Sequence, residues 1–114
     1  MEPARPIPID PDMESLLAQA RTRLEEHYGS RFAGLVLHGS FARGTSETES
    51  DIDLLVLLCD DLDYFQELRT LVNLLYPLQL DFERVISALP ASVEEYESGS
   101  LQLYRNAAHE GVRL

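Results

Sequence analysis

HGSFARGTSETESDIDLLVLL, residues His38 to Leu58, reads as a strand end, a Gly-Ser turn, a polar loop, and a strand with Asp51 and Asp53 at its start. Side chains two apart on a strand share a face, so the two carboxylates project together. Ile52, Leu54, Val56 and Leu58 occupy the opposite face. Leu55 and Leu57 continue the aspartate face, which is therefore charged only at its entrance. Two carboxylates this close repel, and ionised groups beside apolar strand residues are costly without compensation. A divalent cation relieves both problems, and hard oxygen ligands suit Mg²⁺. The plainer reading is a pair of solvated aspartates leaving a turn, and a D-x-D taken alone favours it. Gly39-Ser40 upstream changes the balance. Glycine lets the backbone turn tightly and approach a ligand, while serine adds a hydroxyl and an N–H that can face a phosphate. A phosphate cradle joined to paired carboxylates outlines a metal–triphosphate site. It is not a P-loop: Gly39 and Gly44 have that glycine spacing, but Thr45 stands where the lysine should be.

Outward from this stretch, residues 1–9 are proline-rich and read as an extended arm, and residues 10–114 read as one domain. Asp10 and Pro11 suit a helix start, and the helix runs to Tyr28 with Leu16, Leu17, Ala20, Leu24 and His27 as its apolar face. Gly29 stops it. Phe32 to Leu37 suits a buried strand, and Phe41 to Arg43 a short helical turn before the polar loop. Asp51 to Leu58 is the second strand, antiparallel to the first. Asp60, Asp61 and Asp63 cap the next helix rather than bind metal. That helix carries Leu62, Phe65, Leu68, Leu71, Val72 and Leu75, and Pro77 ends it. Leu78 to Ile86 then alternates as a strand, parallel to the second and beside it. Ser92 to His109 reads as helix interrupted near Gly99, and Gly111 to Leu114 as a short edge strand. The pattern is α/β, a small mixed sheet with flanking helices in the order α-β-turn-β-α-β.

Twenty acidic against nine Lys and Arg residues give a net charge of −11. Affinity for free nucleic acid needs basic residues, so DNA or RNA is a poor partner and a basic protein a better one. Acidity also serves solubility alone. The single Cys59 excludes an internal disulfide and fits a buried thiol in a reducing cytoplasm. No apolar run reaches membrane-spanning length.

Gly39-Ser40, ten residues, then Asp51-Ile52-Asp53 resembles the signature of the polymerase-β-like nucleotidyltransferase superfamily. The fuller run G-S-x-A-R-G…S-D-I-D-L-L-V is similar to its minimal nucleotidyltransferase branch, several members of which are antitoxins paired with an all-helical HEPN-domain ribonuclease toxin. The resemblance implies a third carboxylate on the strand beside Asp51 and Asp53. Asp81 is the natural candidate, with Glu83 on the same face in reserve; alternatively Asp81 is only a charge on an edge strand. It further implies that Asp51, Asp53 and Asp81 hold two Mg²⁺ ions, that Gly39 and Ser40 hold the β- and γ-phosphates of ATP, and that Arg43 offsets the charge of departing pyrophosphate. AMP then passes to a hydroxyl, in the antitoxin branch a tyrosine of the HEPN toxin. Two other functions compete: a binding antitoxin without turnover, and an enzyme modifying a small molecule. The small-molecule relatives use an extra acceptor-binding domain, which weakens that alternative. His38 departs from the apolar or aromatic residue expected before Gly39. It fits a strand-end histidine of structural type better than a phosphate contact.

Overall fold

A computed structural model of the chain describes residues 11–38, 52–82 and 85–114. The expected arm over residues 1–9, the Asp10 cap and the segment from Gly39 to Asp51 lie outside these residues. Phe32–His38 (β1) and Ile52–Leu58 (β2) run antiparallel at the centre, with Leu35 opposite Val56, Leu37 opposite Leu54 and His38 opposite Asp53. Helices cover both faces, so these strands read as near-continuous apolar runs. The sheet order is β3-β2-β1-β4, with β3 (Ile86–Ser92) parallel to β2 and β4 (Val112–Arg113) antiparallel to β1. The architecture is the mixed α/β one the pattern implies.

Helix α1 (Pro11–Tyr28) buries Met13, Leu16, Leu17, Ala20, Leu24 and Tyr28, a stripe at spacings of three and four. His27, expected on that stripe, is exposed, and Tyr28 takes the inward position. Gly29 ends the helix at φ +57°, a conformation that glycine adopts without strain. Helix α2 (Tyr64–Leu80) starts on Asp63, whose side chain accepts from the Gln66 N–H at 3.2 Å. Its inward stripe is Glu67, Leu71, Leu75 and Leu78, while Phe65 and Val72 are 77% and 59% exposed.

Two expectations fail together after Leu75. Pro77 does not end α2, which continues to Leu80 with the proline inside it. A proline here removes one backbone donor, but burial of Leu78 extends the stripe of Leu71 and Leu75 and offsets that loss. The third strand is therefore Ile86–Ser92 rather than Leu78 to Ile86. Pro90 sits within it, which a strand at the sheet edge tolerates. The Val85 carbonyl accepts from the Ile52 N–H at 2.8 Å, so Ile86 points away from β2, and its N–H donates to Gln79 Oε1 at 2.7 Å.

Helix α3 (Val93–Ser98) is capped by the Ser92 hydroxyl and ends at Gly99, φ +69°; α4 (Gln102–Glu110) follows, so the expected interruption is found there. One core lies between the sheet and α1 and α2, built on Leu35, Leu37, Ile52, Leu54, Val56 and Leu58. The other lies under α3 and α4, where Val36, Leu55, Leu57 and Ala91 meet Tyr96, Tyr104 and Ala107. The two faces of β2 thus divide as its alternation predicts. At the far end of α1, the Tyr28 hydroxyl donates to Glu67 Oε1 at 3.1 Å and Arg31 pairs with Oε2 at 3.3 Å, holding a nearly buried carboxylate in place.

Candidate active site at the entrance of the central strands

Strand register brings three polar side chains into one row: His38 on β1, Asp53 on β2 and Ser87 on β3. They share the face of Val36, Leu55, Leu57, Leu89 and Ala91, which pack under α3 and α4. Asp53 is the one half-buried residue of β2; the other six are buried. The row lies at the end of the sheet where the apolar covering stops, so a carboxylate there meets both a rigid strand and an approaching ligand.

His38 Nε2 is buried and has no hydrogen-bond partner among the described residues. Burial lowers the pKa of the imidazole, opposed by the charge of Asp53 and by a backbone hydrogen bond at Leu54. A neutral ring is thus favoured, with one nitrogen uncommitted beside Asp53. Reading His38 as a purely structural strand-end histidine does not account for that orphan atom, because a buried polar group without a partner is costly. The sequence signal was its position: directly before Gly39 and on the face later occupied by Asp53. Ser87 was missed altogether. Its signal was alternation within Ile86–Ser92, hidden because the strand was placed too early.

Of the other residues assigned from sequence, Asp51, Gly39, Ser40, Arg43 and the reserve Glu83 lie outside the described residues. Asp81 is described and does not sit mid-strand. It is the exposed C-cap of α2, φ −95° and ψ 2°, with its N–H directed at the carbonyls of Leu78 and Gln79. It falls five residues before Ile86, on the connection that enters β3 at the end where β2 begins. Among the described residues no group of three or more acidic, histidine or cysteine side chains converges to hold a metal ion. The described part of the site is therefore one strand-borne carboxylate, one uncommitted imidazole nitrogen and one serine.

A mixed sheet with a carboxylate at the entrance of its central strand and helices on both faces is the frame of a nucleotidyl-transferring enzyme. Residues 17–107 match the family described as nucleotidyltransferase domain, and the chain belongs to that family of nucleotidyltransferases. A candidate protein adenylyltransferase of Methanocaldococcus jannaschii is 32% identical over 99 residues, covering 86% of this chain and 93% of that protein. Among solved structures, a candidate nucleotidyltransferase from Sulfolobus solfataricus has a TM-score of 0.54 at 16% identity, over 90% of this chain and 84% of that one. A variant of the MntA–HpeT toxin–antitoxin pair has a TM-score of 0.55 at 20% identity, over 82% of this chain and 68% of that one. These structural likenesses establish the fold, and the family rests on the sequence match.

Proposed function

We propose that the chain transfers AMP from ATP to a tyrosine hydroxyl of a partner toxin of the HEPN class and silences the toxin by that modification. The observation that carries this reading is Asp53, fixed at the entrance of β2 beside His38, in a chain whose sequence continues from His38 into Gly39-Ser40. The similarity to a candidate protein adenylyltransferase supports a protein as acceptor. The likeness to one member of a toxin–antitoxin pair supports a toxin as that protein. The variant in that structure carries aspartate-to-glutamate changes two positions apart, the spacing of Asp51 and Asp53.

The chemistry asks for attack of the hydroxyl oxygen on the α-phosphorus of ATP, with the bond to pyrophosphate breaking and the hydroxyl proton passing to a base or to water. Asp53 fits a divalent-cation ligand: a hard oxygen donor, half-buried, on a strand paired on both sides. Asp51 and Asp81 are the partners assigned to it, and two bound Mg²⁺ ions would supply charge for the phosphates and a lowered pKa for the attacking hydroxyl. Gly39 and Ser40 would offer backbone N–H groups and a hydroxyl to the β- and γ-phosphates, and Arg43 would offset the charge of the leaving pyrophosphate. His38 Nε2 faces the same end; in a neutral ring whose other nitrogen donates to the Leu54 backbone it is an acceptor, suited to a hydroxyl or water rather than to a phosphate oxygen. Asp81 would have to reach the site from the α2–β3 connection, since it lies on no strand.

Intact-mass measurement of a co-expressed HEPN toxin tests the reading. The native chain should add AMP to the toxin, mapped to tyrosine, and Asp53→Asn should lower that modification at least about 100-fold, the scale for losing one preorganised electrostatic contact. A toxin neutralised equally by both proteins, with no added mass, would make this a binding antitoxin instead.

A further inference from the structure

At the end of the sheet opposite Asp53, about seven strand residues or roughly 20 Å away, the fold leaves an open groove of about 890 Å³. Its rim carries Asp60 and Asp61 from the segment after β2, and Glu94 and Glu95 from the start of α3. All four are exposed, and among the described residues none has an ion-pair partner. Four uncompensated carboxylates around one concavity, in a chain of net charge −11, raise the local potential against themselves.

The groove is not only acidic. Tyr64 and Tyr104 line it, and Tyr104 is 5% exposed, its ring packed against Tyr96 at 6.3 Å between centroids. Its hydroxyl makes no hydrogen bond with any described residue. Burial raises the pKa of this phenol, and the charge of Glu95 and the neighbouring Tyr64 add to the shift. A nearly buried phenol that lines the groove, with a hydroxyl used by no described residue, can accept from a donor seated there.

We propose that this groove takes an arginine side chain from a basic segment of a protein partner, its guanidinium bridging Asp61, Glu94 and Glu95 and lying against Tyr64 and Tyr104. Guanidinium fits better than ammonium because it is planar, weakly hydrated, stacks on aromatic rings and presents several N–H donors at fixed angles. A metal ion fits worse, because no three of the described carboxylates converge. Free nucleic acid is repelled by the same charge that attracts the cation. The groove is thus a docking site separate from the transfer chemistry, and its existence does not depend on nucleotide turnover.

Fluorescence anisotropy with a labelled hexa-arginine peptide and the full chain tests this at low salt. Asp61→Asn/Glu94→Gln/Glu95→Gln should weaken binding at least 10-fold. Glu14→Gln/Glu25→Gln/Glu26→Gln, which removes the same charge from α1, should weaken it less than 3-fold. These rim side chains are exposed, and circular dichroism should show all variants folded. Tyr104→Phe, which removes only the hydroxyl, should weaken binding a few-fold and keep the fold. Equal losses in the two triple variants would reduce the effect to net charge and overturn the groove. Hexa-lysine binding as tightly as hexa-arginine would overturn the guanidinium assignment.

Discussion

Glu67 is the residue where the fold accepts a charge in its interior. It is 7% exposed, and both of its oxygens are used: one by the Tyr28 hydroxyl, the other by Arg31, whose guanidinium also lies 5.6 Å over the Tyr28 ring. A buried carboxylate is tolerable on those terms and costly without them. Burial and the adjacent Glu67 carboxylate hold the Tyr28 phenol well above its ordinary pKa, with Arg31 opposing them. The unfolded chain releases that proton near pH 10, whereas the folded chain keeps it. Stability from this group is therefore level below about pH 10 and declines as pH rises further. Tyr28→Phe should cost about 1–2 kcal/mol at pH 7 through the lost hydrogen bond, and should show a shallower alkaline decline. Tyr96 and Tyr104, also raised by burial, leave some slope behind. Urea unfolding at pH 7, 10 and 11 measures both effects, and an equally steep decline in the variant would exclude Tyr28 as a source.

Between elements, a close approach lies where α4 turns into β4. A Cβ on Gly111 would stand 2.5 Å from the Ala107 carbonyl oxygen and 2.8 Å from that of Leu37, both of them backbone. Neither atom can swing aside, so Gly111→Ala should push α4 off β1 and cost about 1–3 kcal/mol, read as a lower melting temperature. This contact was not legible in the sequence, where Gly111 looked only like the start of an edge strand. The β1–β2 pair was legible as antiparallel neighbours, but its register was not, because both faces of these strands are apolar and buried. The Asp63 cap and the Gly29 stop were legible for local reasons. Pro77 misled because its effect on α2 was decided by Leu78, a residue whose burial depends on the packing of α1 and the sheet. That one misplacement carried Asp81 onto a strand it does not occupy and hid Ser87 from the row of His38 and Asp53. His38 was visible in the sequence, but nothing local reveals that its Nε2 is buried without a partner among the described residues.

Taken whole, the molecule is an acidic body that, under the proposed reaction, has to hold a triphosphate. Repulsion between its charge of −11 and the nucleotide makes binding depend on added cations. A non-hydrolysable ATP analogue should raise the melting temperature by up to the order of 10 °C at a hundred-fold excess over Kd when Mg²⁺ is present. With EDTA, or in Asp53→Asn, the shift should largely vanish. Equal shifts with and without Mg²⁺ would count against the carboxylates as metal ligands. The outer rim of the sheet has its own consequence. Donors along β3 alternate in direction, so the N–H groups of residues 86, 88, 90 and 92 face outward. Ile86 is taken by Gln79 Oε1, and Pro90 has no donor to give, which leaves Ala88 and Ser92. A strand from another chain adding to this rim would find two amides where it needs four, so β3 is a poor template for self-association. Pro90→Val restores a donor in the outward row and should increase concentration-dependent sedimentation relative to the native chain; unchanged sedimentation would mean that something other than this proline keeps neighbouring sheets from joining.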